Sequence, residues 1–321
     1  MRSMKNSAFS LLKSLLLCLA LCSTPVAPAG AATTTVHSLD QVRGATKSTE
    51  GRAVFDQQMN GAPQPDGFGT HLPDGFTKEW LAAQLAPGQD IKRLTLAGAK
   101  PWPQQPNKFV AVVCLARSVK QAASELKGVT SSCAGFNDPD HDVWFGVFGR
   151  DAGGSPKLVA RTEAAVDVPV RWNDTDLEVP QSVGSDASGG NSASGMPESW
   201  LRFDLAPYQL HAGDPAFGVR VGWSEGYSGG GASYEALYLF QIDGAKLRVV
   251  FAQPMMFTKD LAGDWHKDGT RDHEVSEGSN VLAVLARTSD GFHDLRLRER
   301  RGKWSRTFRW SAPEQRYIVV K

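Results

Sequence analysis

The 321-residue sequence predicts a mainly β protein, built from antiparallel sheets and hairpins in a sandwich or propeller-fragment arrangement with a few short helices. Three observations carry that expectation. Short apolar stretches rich in Val, Phe, Leu and Tyr recur with period-two spacing, the signature of strands with one or both faces buried. Several of these stretches flank turn dipeptides, of which Asp243-Gly244 is the strongest hairpin cue. A loose unit of apolar strand, loop and hairpin also recurs over residues 109–161, 217–252 and 281–311, which favours antiparallel sheets over alternating β and α units.

Along the chain, residues 1–32 read as a secretory leader, in which Arg2, Lys5 and Lys13 accompany an apolar run too short to span a bilayer. The small residues Ala29-Gly30-Ala31 place cleavage after Ala31 or Ala32. Lipid attachment at Cys22 is the rival reading, with bulky Leu21 standing where a small residue is needed. Residues 33–75 are polar, without sustained apolar periodicity, and read as an irregular arm. A short helix is expected over 77–86, where Trp80, Leu81 and Leu85 share a face and Pro87-Gly88 ends it.

A first β region follows over 76–180, with strands at 91–96, 109–116, 143–149 and 157–161, the last two joined at Asp151-Ala152-Gly153-Gly154. Val119, Ala122, Ala123 and Leu126 keep helical spacing between two of these strands. Residues 181–199 are rich in Ser and Gly and read as a flexible linker. A second β region, 200–321, carries strands at 217–223, 234–242, 247–252, 281–286, around Leu295 and Leu297, and at 304–310.

The charge balance, 35 Lys and Arg against 34 Asp and Glu, creates no global field toward nucleic acid or an anionic membrane. No apolar run after the leader is long enough for a transmembrane helix. Of the four cysteines, Cys18 and Cys22 fall in the leader, which leaves Cys114 and Cys133 as a pair in an oxidising compartment, periplasmic or secreted. A disulfide between them closes a loop of about twenty residues and stabilises the fold by about 3 kcal/mol in the chain-entropy picture.

Five segments hold side chains that could do chemistry. Gly222-Trp223-Ser224-Glu225-Gly226 fits the G-x-S-x-G nucleophile elbow, with Asp264 and His266 or Asp272 and His273 as downstream partners. The glycines at 229–231 oppose the helix that such an elbow needs, so no catalytic residue is assigned. Residues 264–270 are only partly like a calcium loop, since His266 replaces an oxygen ligand, and they read as a solvated hairpin tip. Residues 137–142, acidic and turn-forming, read as local structure. His266, Asp268, Asp272, His273 and Glu274 could also bind a transition metal, but the H-E-x-x-H pattern is missing, the segment reads as surface, and no metal or cofactor is assigned.

The basic C-terminal stretch interleaves Arg296, Arg298, Arg306 and Arg309 with Trp304, Phe308 and Trp310, as a strand pair with one solvated face requires; nucleic acid is not expected as a partner. The segment 223–234 (WSEGYSGGGASY) reads as a glycine-rich recognition loop, in which Glu225, Tyr227, Ser228, Gly229 and Tyr234 supply contacts.

Ser228-Gly229 resembles the start of the SG-x-x-Y or SG-x-Y motif that bacterial periplasmic lysozyme inhibitors insert into the lysozyme cleft. The family spacing puts the tyrosine at Ala232 or Gly231, whereas here it is Tyr234. Asp290-Gly291-Phe292-His293-Asp294-Leu295 is similar to the D-G-x-x-D-L core of FG-GAP propeller repeats. The first resemblance implies an inhibitor of, or immunity protein against, a cell-wall hydrolase, bound through the 223–234 loop. A serine hydrolase using Ser224 and an envelope polysaccharide-binding module using the tryptophans and basic face are the alternatives; the expected partner is thus a protein such as a cell-wall hydrolase, or a glycan.

Overall fold

Strands that are apolar at every position have two faces to bury, and this chain has several of them. The structure, a computed structural model, describes residues 32–128, 132–134, 141–151, 154–184 and 193–320. Residues 1–31 of the expected leader, residues 137–140 of the acidic turn, residues 152–153 of the first hairpin cue and residues 185–192 of the expected linker lie outside the described residues.

The described chain opens with β1 (Ala32–Val36), α1 (Leu39–Ala45) and α2 (Thr49–Asn60), so residues 33–75 are not the irregular arm that their polarity suggested. Ser48 caps α2 by accepting the Gly51 N–H, and Gly61, left-handed at φ 62°, ends it. α3 (Lys78–Leu85) sits where the helix was expected, capped by Thr77. β2 (Leu94–Pro101) begins at Leu94 rather than Ile91, because Ile91–Arg93 form a turn of 3-10 helix.

Then come β3 (Lys108–Ala116), α4 (Val119–Glu125), β4 (Cys133–Ala134), β5 (His141–Gly149) and β6 (Lys157–Arg161), followed by β7 (Val170–Arg171). The segment read as a linker carries α5 (Gln181–Gly184) and β8 (Ser194–Gly195). The long strands β9 (Ser199–His211), β10 (Asp214–Tyr227), β11 (Gly230–Asp243), β12 (Lys246–Trp265) and β13 (Arg271–Ser289) lead to β14 (Phe292–Glu299), β15 (Ser305–Ser311) and β16 (Arg316–Val319).

Period-two alternation sorts these strands into layers. On β11, Tyr234, Ala236, Tyr238 and Phe240 face one core, while Leu237 and Leu239 face another. The first core also takes Val110, Val112 and Cys114 of β3 and Val143, Phe145 and Val147 of β5. The opposite face of those strands, with Ala111, Val113, Leu115 and Trp144, packs on Leu81, Ala82 and Leu85 of α3. Beyond β11 on the other side, Leu295, Leu297, Phe308, Trp310 and Tyr317 of β14–β16 complete the third core. The order is therefore helix α3, then successive layers of one large, mostly antiparallel sheet.

The three recurring units of the sequence each form one antiparallel meander in a different layer: β3-β5-β6, β10-β11-β12 and β13-β14-β15. β12 joins the layers because it is long. Near Lys246 it meets Arg161 of β6, and from Met256 onward it pairs with β13. The ladder β9-β10-β11-β12-β13-β14 closes through Phe292 opposite His211. The two expected β regions thus share one core, in which Phe145 of the first lies against Phe240 of the second with ring centroids 4.8 Å apart.

Cys114 and Cys133 are bonded, with Cα atoms 6.0 Å apart, and both are buried. The bridge ties β3 to β4, which pairs with β9. On β14, Arg296 and Arg298 are exposed between buried Leu295 and Leu297, and Phe308 and Trp310 point into the third core; these aromatic faces are already covered by protein. Among the described residues no helix is long and apolar enough to cross a membrane.

Candidate functional site

The N-terminal segment is fastened to β13 by a few strong contacts. β1 pairs with β13, Thr34 standing opposite Val275. At the α1–α2 junction the Glu277 carboxylate of β13 accepts from the Lys47 N–H at 2.9 Å, the Ser48 N–H at 3.0 Å and the Ser48 hydroxyl at 2.7 Å. Arg43 of α1 donates to both carboxylate oxygens of Asp56 on α2, at 2.7 and 2.9 Å, which fixes the angle between the helices.

Held this way, the two helices stand off β11–β13 and enclose a cavity of about 710 Å³. Leu39 and Val42 of α1 with Val54, Phe55 and Met59 of α2 form its apolar wall. Ser233, Thr258, Asp260, His273 and Val275 form its floor. Tyr227, Gly229 and Gly230 of the β10–β11 hairpin make one rim, and Trp265 and Arg271 of the β12–β13 hairpin the other. The volume lies in the range of pockets that enclose most of a small molecule.

The floor is electrostatically built. His273 Nδ1 lies 2.9 Å from Asp260 Oδ1, with His273 buried. Burial pushes the Asp260 carboxyl above its ordinary range, and the bond to His273 and the imidazole charge oppose that rise. Lys259 is paired with Glu178 and stands 5.6 Å from the centre of the Tyr227 ring. Burial, followed by the hydrogen bond to Glu225, pushes the Tyr227 hydroxyl up to about 12. At the opposite rim Arg271 lies 5.2 Å from the Trp265 ring, and Trp265 is 70% exposed.

The expected recognition loop is a continuous hairpin. Tyr227 pairs with Gly230, Trp223 with Tyr234, and only Ser228 and Gly229 form the turn, Gly229 taking φ +90°. Four of the five expected contact residues gather here, and two of them, Tyr227 and Gly229, line the cavity. Ser228 is exposed, whereas Glu225 is engaged within the fold, accepting from the Gln181 N–H and the Tyr227 hydroxyl. Tyr234 is 1% exposed and packs edge-on to Trp172 in the first core, against which Tyr227 also packs.

Ser224 lies inside β10 opposite Ser233, and the strand runs on to Tyr227; the sharp turn into a helix that defines a nucleophile elbow is not present there.

Beside the Trp265 rim, His37 at the end of β1 meets the β12–β13 hairpin. Its Nδ1 is 2.8 Å from Asp272 Oδ1, and Nε2 of His266 is 2.9 Å from the same oxygen. The bonds to His266 and then His37 lower the Asp272 carboxyl, and the bond to Asp272 raises the His266 imidazole. These three side chains present one ligand atom each, all within 4.8 Å of one another. They are the described residues best placed to hold a metal ion: to His266 and Asp272, which the sequence already offered, β1 adds His37.

The helices α1 and α2 were the part of the site that sequence reasoning missed. The signals were there: Leu39 and Val42 at helical spacing, Ser48 before α2, and Gly61 after it. The fold and cavity define a mainly β protein with one large, mostly antiparallel sheet folded into layers and a helix-walled, ligand-sized cavity. Comparisons with protein-family models, with curated proteins and with solved structures found no match to this chain.

Proposed function

We propose that this chain is an extracytoplasmic binding protein whose recognition site is the cavity between α1–α2 and β11–β13, and whose ligand is a molecule with a substantial apolar body. One observation carries the reading: Val54, Phe55 and Met59 of α2 turn toward the cavity yet remain only partly covered by protein. Apolar side chains kept beside an open volume gain when a ligand displaces water from them, at about 25 cal/mol per Å² covered. The Asp260–His273 pair and the Thr258 and Ser233 hydroxyls below them supply hydrogen-bonding partners for a polar end. The leader pattern and the Cys114–Cys133 bridge support the compartment.

Inhibition of a cell-wall hydrolase by the β10–β11 hairpin draws its support from exposed Ser228 alone, since Glu225 and Tyr227 are spent on contacts within the fold and Tyr234 is buried. The geometry therefore favours the cavity over an inserting loop.

Trp265 at the rim makes the test optical. Titration with a homologous series of straight-chain alcohols is expected to change its emission saturably, with affinity rising about fourfold per methylene, the equivalent of ~0.8 kcal/mol. Phe55→Asp is expected to abolish the response. Emission that does not saturate, or that is unchanged by Phe55→Asp, would remove the cavity as the recognition site.

A further inference from the structure

We infer that His37, His266 and Asp272 form a binding site for a borderline divalent transition-metal ion, Zn²⁺ being the reference case, that clamps the N-terminal strand to the β12–β13 hairpin. The inference is independent of what the cavity binds. Its first support is the donor set: two imidazoles and a carboxylate suit Zn²⁺, Ni²⁺ or Cu²⁺ and are a poor match for the oxygen-only preferences of Ca²⁺ and Mg²⁺. The second is geometry. A tetrahedral ion with bonds of about 2.0–2.1 Å holds its ligand atoms about 3.4 Å apart. Here His37 Nδ1 and His266 Nε2 lie 2.8 and 2.9 Å from Asp272 Oδ1, and all three atoms lie within 4.8 Å of one another. Small side-chain adjustments at an exposed hairpin tip would admit the ion.

Convergence from distant sequence is the third support, because His37 and Asp272 are 235 residues apart. His37 is 77% exposed, and the β1–β13 register, which sets Val36 opposite His273, carries it to Asp272. The nearby carboxylate of Asp268 is already used to close the hairpin turn, accepting from the Thr270 N–H at 2.9 Å and hydroxyl at 2.7 Å, which leaves Asp272 as the anionic ligand. Three protein ligands leave the fourth position to water or to an incoming group. In sequence the three ligands adjoin Ser38, Trp265 and Arg271, which line the cavity.

The test is calorimetric titration of Zn²⁺ into chelator-treated protein produced without a histidine tag. One equivalent is expected to bind, and His37→Ala, His266→Ala and Asp272→Asn are each expected to lose at least about tenfold in affinity, the lower end of what even outer partners of a metal site contribute. His71→Ala, at a histidine whose side chain is 98% exposed, is expected to bind as the wild type does. Zn²⁺ is also expected to slow proteolysis within residues 37–61 of the wild type but not of His37→Ala, whose circular dichroism should match the wild type. Absence of saturable binding, or binding that survives all three ligand substitutions, would overturn the assignment; so would loss of binding in His71→Ala.

Discussion

Asp260 Oδ1 lies 2.9 Å from His273 Nδ1 at the cavity floor, a pair joining β12 to β13 under the apolar wall of α1 and α2. Burial raises the Asp260 carboxyl, so the folded state holds that proton more tightly than the unfolded state does. Asp260 therefore contributes most to stability below the ordinary aspartate range, and the contribution is lost as pH rises through its folded pKa. His273 restrains the rise. In His273→Ala the Asp260 titration followed by carboxyl NMR should move to higher pH. The variant should lose about 1–3 kcal/mol at neutral pH, the cost of a buried polar group without its partner. The gap from wild type should narrow on acidification; parallel stability curves would sink this account of the pair.

Gly230 opens β11 where it passes closest to β12. A Cβ there would stand 2.0 Å from the Asp260 carbonyl oxygen, a backbone atom that cannot step aside without parting the strands. Gly230→Ala should therefore destabilise by about 1–3 kcal/mol, the usual range for overpacking, and should weaken cavity binding along with it. Gly226, on the partner strand of the same hairpin, meets nothing within 4 Å, so Gly226→Ala serves as the control and should leave both quantities near wild type. Equal midpoints for the two variants in a denaturant series would contradict the assigned close approach.

The layers were legible in the sequence because period-two burial leaves a direct mark: Leu295 and Leu297 alternating with Arg296 and Arg298 can only be a strand with one wet face. The bridged cysteines and the helix between them were legible for similar local reasons. The cavity was not. Its apolar wall rests on α1 and α2, whose short apolar faces are held by the contact of Glu277 with residues 47 and 48, across a separation of 230 residues that no local pattern announces. Tyr234, expected in a projecting glycine-rich loop, lies in β11: Ser228 and Gly229 alone form the turn, the other glycines pair within the strands, and strand alternation sends the Tyr234 ring inward against Trp172.

The Cys114–Cys133 bridge closes a separation of 19 residues and anchors β4 against β9. Chain-entropy reasoning gives about 3 kcal/mol for a loop of this size. The double variant Cys114→Ala with Cys133→Ala should lower the unfolding free energy by that amount or somewhat more, read as a lower denaturant midpoint, since both sites are buried and lose contacts as well. The oxidised wild type treated with a reductant under native conditions should resist reduction, because both sulfur-bearing side chains are covered. An unchanged midpoint in the double variant would show that the loop is already constrained without the bond.

Glu277 holds the N-terminal helices to the sheets. Its carboxylate accepts the Lys47 and Ser48 N–H groups and the Ser48 hydroxyl, and the Arg301 guanidinium stands 3.9 Å away. Hydrogen bonds to a charged acceptor contribute about 1.5–3 kcal/mol each, so Glu277→Ala removes most of what fixes the α1–α2 junction, while the three sheet cores keep their packing. The expected result is local opening: amide exchange should speed up across residues 39–60 while β11 stays protected, and Trp265 should lose its response to alcohols. Glu277→Gln, which keeps one acceptor oxygen, should fall between. Uniformly faster exchange throughout β11 would mean that the helices are part of the cooperative core and not a hinged wall, and the cavity would then depend on global stability instead of on this one carboxylate.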